Sequence, residues 1–156
     1  MSYVSSGPDP ADDGCFLCVA AAGEGPDASL VVDRAALAVT LLNRYPYSSG
    51  HLMVVPVRHT PDLVSLTAEE GAAVFAATQR AIRGLTDALH PGGFNIGVNQ
   101  GSAAGASVEH VHIHVVPRWG GDTNFMPVIG DVKVLPELLA TTAVNLRAAF
   151  DRLGPL

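Results

Sequence analysis

The 156-residue sequence has few of the features that mark membrane proteins, secreted proteins or proteins that coat nucleic acid. No apolar run reaches the roughly 18 residues that a membrane-spanning helix needs. The first ten residues, MSYVSSGPDP, have neither a basic start nor an apolar centre, which argues against a secretory signal peptide. Acidic residues outnumber basic ones by 15 to 9, so a nucleic-acid partner is not expected. We therefore expect a cytoplasmic protein without a membrane or nucleic-acid partner.

Cysteine is also scarce, and its two occurrences stand close together, at Cys15 and Cys18 in CFLC. In the reducing cytoplasm a C-x-x-C pair is more typical of metal binding or redox chemistry than of a structural disulfide. Two thiolates do not complete a tetrahedral zinc site, so the chain would have to supply two further ligands. The alternative is that both cysteines pack as small hydrophobic side chains.

The composition is sufficient for one globular domain. Hydrophobic residues make up 48% of the chain, and the 16 glycines and 11 prolines are dispersed rather than clustered. We predict a flexible N-terminal tail over residues 1–12 and a single domain over residues 13–156.

Strand patterns predominate in the chain. Residues 30–42 predict two strands joined by a tight turn at Asp33-Arg34, and residues 51–57, 94–99 and 110–116 predict three more. The all-apolar segment 51–57 is expected to be covered on both faces. Because strands follow one another before the long helix, the order favours an antiparallel sheet with helices packed on one face, an α+β fold.

Two helices are predicted. Thr67 and Glu70 form a capping-box pattern at the start of the longer one, which should end at Pro91-Gly92-Gly93. Its apolar stripe comprises Val74, Phe75, Thr78, Ile82, Leu85 and Leu89. The second should begin near Pro136 and bury Leu138, Leu139, Leu146 and Phe150.

Three histidines alternate with apolar residues in the stretch EHVHIHVVP at 109–117, at positions 110, 112 and 114. Alternate side chains of a strand share a face, but the outer two Cα atoms would lie about 13 Å apart. Zinc–nitrogen bonds are only about 2 Å long, so one metal held by all three rings is not expected. Structural, hydrogen-bonded rings are one alternative. The other is a row of rings along a phosphate chain, since neutral imidazole attacks phosphorus and a flanking ring can donate to a phosphoryl oxygen.

The segment HVHIHVV resembles, at all seven positions, the signature of the histidine triad (HIT) superfamily, H-φ-H-φ-H-φ-φ with φ apolar. The upstream NRYPYSSGHLMVVPVRH is similar to that superfamily's N-x-x-P-x-x-x-G-H pattern. The segment RWGGDTNF, at 118–125, resembles bacterial HIT proteins that act as diadenosine tetraphosphate phosphorylases. This resemblance covers roughly residues 15–140.

The resemblance implies a five-stranded antiparallel sheet with one long helix and a C-terminal helix, usually paired into a symmetric homodimer. It implies an enzyme, without an organic cofactor, that cleaves a dinucleoside polyphosphate or mononucleotide substrate beside the nucleoside α-phosphate. Diadenosine tetraphosphate phosphorolysis is the first expectation, with inorganic phosphate as acceptor. The alternatives are hydrolysis of dinucleoside polyphosphates or nucleoside phosphoramidates, with water as acceptor, a metal-dependent hydrolase, or a nucleotide-binding module with little turnover.

The resemblance also implies residue roles. Within the triad of His110, His112 and His114, His112 would be the nucleophile that forms a nucleotidyl-histidine, and His114 would hydrogen-bond the same phosphoryl group. Seven further residues would bind nucleotide or phosphate: Asn43, His51, Asn99, Gly105, Ala106, Ser107 and Trp119. Trp119 could equally be a core or dimer-contact residue. Ala106 departs from the two glycines expected before the serine, which weakens the choice of phosphate over water as acceptor.

The same resemblance completes the metal site suggested by the cysteine pair. Many HIT proteins add a histidine after the second long strand and the first triad histidine, which here are His59 and His110. A structural zinc would then be held by Cys15, Cys18, His59 and His110, and it would pin the N-terminal segment behind the histidine strand. The alternative is that His110 bonds to a carbonyl group while the cysteines pack as apolar side chains.

Overall fold

The computed structural model describes residues 14–122 and 137–156. The predicted tail and Pro136 lie outside these residues, and the predicted domain boundaries stay a prediction. None of the helices in the two described ranges is both long and apolar enough to cross a membrane.

Five strands in the described residues form one antiparallel sheet, as predicted. They are β1 (Val31–Arg34), β2 (Ala38–Leu42), β3 (Leu52–Pro56), β4 (Gly93–Gly97) and β5 (Ile113–Arg118). Their order across the sheet is β1-β2-β3-β5-β4, with every neighbouring pair antiparallel. The strand that carries the end of the histidine motif therefore lies between β3 and β4.

The predicted turn at Asp33-Arg34 is wrong, because both residues belong to β1 and the chain turns at 35–37 instead. Partners outside the sheet explain why two charged residues are accommodated in the strand. The Oδ2 atom of Asp33 accepts a hydrogen bond of 2.7 Å from Nε of Arg80, and Arg34 donates to the carbonyl oxygens of Ala20 and Ala21.

The helices are α1 (Phe16–Ala21), α2 (Ala68–Leu89) and α3 (Leu139–Arg152), with short 3₁₀ helices at Pro26–Leu30 and Ser102–Ala104. The capping box of α2 is confirmed: Glu70 N–H donates to Thr67 Oγ1 at 3.1 Å, and Thr67 N–H donates to Glu70 Oε2 at 2.8 Å. The helix ends at His90, which adopts a left-handed conformation directly before Pro91.

Two residues predicted to be buried are exposed. Phe75 is 63% exposed because the buried stripe of α2 runs through the adjacent Val74 and through small residues such as Ala77 and Ala81. Leu138 is 77% exposed because it is the extended residue that precedes α3 rather than a member of that helix.

Helices pack on both faces of the sheet. The two longer helices share one face, as predicted, but α1 lies on the other. Helices α2 and α3 pack on the face that includes Leu52, Val54 and Val115. On the opposite face, Met53 and Val55 pack with residues of α1. Strand β3 is buried at every residue, as predicted. Because His114 pairs with Met53 in register, its side chain lies on the same face as α1.

Candidate active site

The three histidines of the motif do not all lie on one strand. Strand β5 begins at Ile113, so His110 and His112 belong to the segment before it, which is joined to the loop after β3 by a 2.8 Å hydrogen bond from Val111 N–H to the Thr60 carbonyl. The rings of His112 and His114 meet edge to face with centroids 4.7 Å apart. The His110 ring instead contacts His59, with centroids also 4.7 Å apart.

The ring of His112 is held in a defined protonation state. Its Nδ1–H donates to the His110 carbonyl oxygen at 2.8 Å, which leaves the lone pair on Nε2. Burial lowers the pKa of His112, although the hydrogen bond to His110 acts in the opposite direction. The ring is therefore neutral at pH 7 and has the electronic form of a nucleophile at Nε2.

A chain of hydrogen bonds sets the opposite tautomer in His114, with the proton on Nε2 rather than on Nδ1. The backbone N–H of Tyr47 donates to Nδ1 of His51 at 3.0 Å, so a neutral His51 carries its proton on Nε2. That atom lies 2.9 Å from Nδ1 of His114, which must then accept, and the proton of His114 resides on Nε2. Burial first, and the neighbouring His112 second, lower the pKa of His114 to about 4. His114 is thus a neutral hydrogen-bond donor beside His112.

Tyr47 is a residue of this network that the sequence did not single out. Its ring stacks on the His51 ring at 4.9 Å between centroids and 17° between planes. Its place between Pro46 and Gly50, four residues before His51, was the available signal. Tyr47 therefore supports the hydrogen-bonded histidine pair through both its backbone and its ring.

A cavity of about 340 Å³ opens beside His114. Its lining comprises Tyr47, Asn95, Ile96, Gly97, Asn99, His114, Val116 and Arg118. Of the predicted nucleotide-binding residues only Asn99 is among them. Arg118 forms a double hydrogen bond with Asp122, at 2.6 and 2.8 Å, and donates to Asn95 Oδ1 at 2.7 Å. The sequence had linked Arg118 and Asp122 to one branch of the HIT superfamily without giving them a role.

The remaining predicted binding residues make local contacts or are exposed. The Asn43 side chain accepts a 2.9 Å bond from Tyr45 N–H, and Trp119 N–H donates to Asp122 at 3.1 Å. Ser107 is exposed. A side chain on Gly105 would approach Asn99, with 3.9 Å between its Cβ and Asn99 Nδ2.

In the glycine-containing loop at 101–107, several backbone N–H groups donate to carbonyl groups of the same loop. The N–H groups of Gly105 and Ala106 donate to the carbonyls of Ser102 and Gly101 respectively. The binding roles of these loop residues stay predictions.

The structure brings together the four predicted metal ligands. The sulfur atoms of Cys15 and Cys18 and the ring nitrogens of His59 and His110 all lie within 4.8 Å of one another. Cys15 precedes the first residue of α1 and Cys18 lies in its first turn, so the helix presents both thiols on one side. The cluster therefore joins α1, the loop after β3 and the triad segment.

The geometry of this cluster fits a tetrahedral zinc ion. At a tetrahedral angle, zinc–sulfur bonds of about 2.3 Å and zinc–nitrogen bonds of about 2.0–2.1 Å place the sulfur and nitrogen ligand atoms about 3.5 Å apart. Three of the four sulfur–nitrogen separations match this value: 3.5 Å from Cys15 Sγ to His110 Nδ1, 3.4 Å from Cys18 Sγ to the same atom, and 3.3 Å from Cys18 Sγ to His59 Nδ1. His110 Nε2–H donates to the Pro56 carbonyl at 3.0 Å, which leaves Nδ1 as the ligand atom.

Comparisons with known proteins agree with this architecture. The HIT domain family model matches residues 25–121. The chain is 52% identical over 124 residues to "AP-4-A phosphorylase" of Mycobacterium tuberculosis, covering 79% of this chain and 64% of that protein. It is 33% identical over 97 residues to "Bis(5'-nucleosyl)-tetraphosphatase [asymmetrical]" of Schizosaccharomyces pombe, covering 62% of this chain and 53% of that protein.

A solved structure, of a zinc-bound histidine triad family protein from Mycobacterium smegmatis, superposes with a TM-score of 0.75 at 31% identity. The match covers 89% of this chain and 94% of that one. The fold, the triad and the family match lead to one conclusion: the chain belongs to the HIT domain family.

Proposed function

We propose that the protein is a diadenosine tetraphosphate phosphorylase that works through a nucleotidyl-histidine at His112. The observation that carries this proposal is that two adjoining neutral rings, His112 and His114, are held in complementary tautomers. His112 has its lone pair on Nε2, and His114 has its proton on Nε2. A nucleophile beside a neutral donor is suited to displacement at a phosphoryl group whose oxygens gain charge in the transition state.

In the first step Nε2 of His112 bonds to the α-phosphorus of the substrate, and the bond from that phosphorus to the bridging oxygen breaks. ATP departs with the bonding electron pair, and AMP remains attached to the histidine. In the second step an oxygen of inorganic phosphate attacks the same phosphorus. The nitrogen–phosphorus bond breaks, which releases ADP and restores the neutral ring.

The choice of diadenosine tetraphosphate and of phosphate as acceptor is supported by the 52% identical mycobacterial relative named as an AP-4-A phosphorylase. Two observations favour water as an alternative acceptor. One is the tetraphosphatase name of the yeast relative, and the other is Ala106 at a position where a glycine would leave more room. Hydrolysis would yield AMP and ATP from the same intermediate.

Radiolabelled inorganic phosphate tests the acceptor directly. Purified protein is incubated with diadenosine tetraphosphate and labelled phosphate, and the nucleotides are separated. Phosphorolysis places the label in ADP, whereas formation of unlabelled AMP and ATP in equal amounts would overturn the phosphorylase assignment in favour of hydrolysis.

Trapping the intermediate tests the chemistry independently of the acceptor. Substrate labelled at the α-phosphate, supplied without inorganic phosphate and quenched in alkali, should leave acid-labile label on the protein. His112→Ala should carry none while still binding a non-hydrolysable analogue. Binding without turnover or label in the unaltered protein would indicate a nucleotide-binding module.

We further propose that the cluster of Cys15, Cys18, His59 and His110 holds a structural zinc ion. Support comes from the tetrahedral separations given above and from the zinc-bound M. smegmatis relative. Bound there, zinc would cross-link α1 to the triad segment and supply no step of the reaction. Elemental analysis of protein purified without added metal should find about one zinc per chain.

We also propose a homodimer, as the family resemblance implies. Strand β4 ends the described sheet, and three of its residues, Asn95, Ile96 and Gly97, are exposed. An exposed sheet edge offers backbone groups that a second copy can pair with. Light scattering of the purified protein should give twice the mass of one chain, and a monomer at micromolar concentration would overturn the proposal.

A further inference from the structure

The cysteine–histidine cluster and the triad share a residue. The ring of His110 lies in the cluster, with its Nδ1 atom 3.5 Å from Cys15 Sγ and 3.4 Å from Cys18 Sγ. The backbone carbonyl of His110 accepts the 2.8 Å hydrogen bond that places the proton of His112 on Nδ1. A change in the cluster that moves His110 therefore also moves the group that orients His112.

A second connection lies beside the first. Val111 N–H donates to the Thr60 carbonyl at 2.8 Å, and these two residues directly follow the cluster histidines His110 and His59. A metal ion bound to both histidines would cross-link the loop after β3 to the triad segment at the same point. Without the ion, this junction depends on hydrogen bonds and on the contact between the two rings.

The two cysteines are also placed to form a disulfide. The C-x-x-C spacing is typical of redox chemistry as well as of metal binding. Neither Cys15 nor Cys18 is in a disulfide, and their sulfur atoms lie within 4.8 Å of each other, against the roughly 2.05 Å of a disulfide bond. Cys15 is the extended residue before α1, so its side chain can move towards Cys18 without unwinding the helix.

The two thiols differ in their access to solvent. Cys15 is buried, with 1% of its surface exposed, whereas Cys18 is partly exposed. An oxidant in solution therefore reaches Cys18 first, and Cys15 lies next to the oxidised product. An accessible thiol beside a second, resolving thiol is the arrangement found in redox-sensitive cysteine pairs.

We propose that Cys15 and Cys18 form a redox switch that acts on the triad through His110, with hydrogen peroxide as the oxidant. The Cys18 thiolate attacks one peroxide oxygen, the oxygen–oxygen bond breaks, and Cys18 becomes a sulfenic acid as hydroxide leaves. The Cys15 thiolate then attacks the Cys18 sulfur, and the sulfur–oxygen bond breaks with loss of a second hydroxide. The two thiolates lose two electrons in total, and the peroxide is reduced to water once both hydroxides take up protons.

Oxidation removes two ligands from the cluster. The thiolate is the form of cysteine that binds metal, and His59 and His110 alone supply only two of the four ligands of a structural zinc site. The cluster therefore loses its ion, and the junction between the loop and the triad segment loosens. The inference rests on the proposed zinc site and on the proposed role of His112. Oxidised protein should have a kcat lower by about 10–100-fold, the range seen when groups that support a site are removed.

Treatment of the zinc-loaded protein with hydrogen peroxide tests the switch. A chromogenic chelator should detect about one zinc ion released per chain. The intact mass should fall by two hydrogen atoms, with the disulfide located by peptide mapping, and kcat should fall over the same time course. A thiol reductant with added zinc should reverse all of these changes, which separates them from oxidation of methionine to its sulfoxide.

Cys18→His separates the thiol pair from the metal site. This variant keeps four potential ligands but only one thiol, since the chain has two cysteines. Once elemental analysis has shown that it binds zinc, peroxide should release no zinc from it and leave its kcat unchanged. Should the variant fail to fold or to bind zinc, reversal by the reductant in the unaltered protein decides instead.

Nitrogen NMR of the histidine rings follows the tautomer of His112 without requiring turnover. The reduced protein should show the His112 proton on Nδ1, and the oxidised protein should lose this single tautomer. Zinc retained after peroxide treatment, thiols oxidised without a disulfide, or zinc released with the tautomer unchanged would each overturn the switch. Untreated protein without zinc overturns the zinc site and the switch together. An inactive protein whose zinc and tautomer respond as expected supports the switch while the proposed function fails.

Discussion

The Nε2 atom of His51 lies 2.9 Å from the Nδ1 atom of His114, and this contact fixes which nitrogen of the triad ring carries a proton. The donor is itself oriented by the backbone of Tyr47, four residues before it. His51 is completely buried, which shelters its end of the hydrogen bond from competing water. The residue directly before β3 thereby determines the hydrogen-bonding character of a residue on β5.

Replacing His51 by phenylalanine should lower kcat on diadenosine tetraphosphate by about 10²–10³-fold, the order of one oriented transition-state donor, because His114 is then no longer held with its proton on Nε2. Phenylalanine retains a ring for stacking on Tyr47 but cannot donate to His114. His90→Asn, at the exposed end of α2, is the control and should leave kcat unchanged. A His51→Phe enzyme with unaltered kcat would contradict the role given to this hydrogen bond.

The pH dependence of activity should reflect depressed histidine pKa values. Burial lowers the pKa of His112, and the pKa of His114 falls from 6.5 to about 4. Protonation of His112 removes the nucleophile, so the acid limb of the kcat/KM profile should lie below pH 6.5. A limb at or above pH 6.5 would show that the rings titrate as exposed histidines do.

The same shifts predict how stability changes with pH. Below pH 6.5 the unfolded chain binds protons at these histidines that the folded chain excludes until the lower folded pKa is reached. The free energy of unfolding should therefore fall as the pH decreases from about 6.5 towards 4. Urea denaturation at a series of pH values measures this, and the slope should decrease in His114→Phe.

The ion pair between Arg58 and Glu70 should stabilise the loop that carries His59. Hydrogen bonds from Arg58 first, and from the Thr67 backbone, lower the pKa of Glu70 from 4.5 to about 2. The stabilisation is fully present above pH 4.5 and is lost as the pH falls through about 2. Glu70→Gln should thus lower the Tm at pH 7 and lower it less at pH 3, whereas the neighbouring exposed Glu69→Gln should not. Equal changes in both variants would argue against the pair.

Removing a metal ligand should destabilise the protein more than it alters the chemistry. Cys18→Ser should reduce zinc content and lower the Tm by several degrees, because α1 loses its cross-link to the triad segment. A strong chelator should lower the Tm of the unaltered protein to a similar value and have no further effect on the variant. A chelator-independent Tm together with absent zinc would overturn the assignment of the site.

The sequence by itself determined the elements that depend on local patterns. Alternating apolar residues specify the strands, and the Thr67–Glu70 capping box specifies the start of α2, because each acts through neighbours within a few residues. The triad motif likewise identified His112 and His114 as a pair. Local patterns failed at Asp33-Arg34, where distant partners stabilise charged residues within a strand.

Only the tertiary structure shows the long-range contacts that orient the three histidine rings. The His110 ring turns towards Cys15, 95 residues away in the chain, while its carbonyl oxygen fixes the protonation of His112. His51 and His114 are 63 residues apart. The cavity formed by Tyr47, Asn95 and Arg118 arises where β4 and β5 meet the loop before β3. Such contacts depend on strand order and register, which are set by packing of the whole chain rather than by any segment of it.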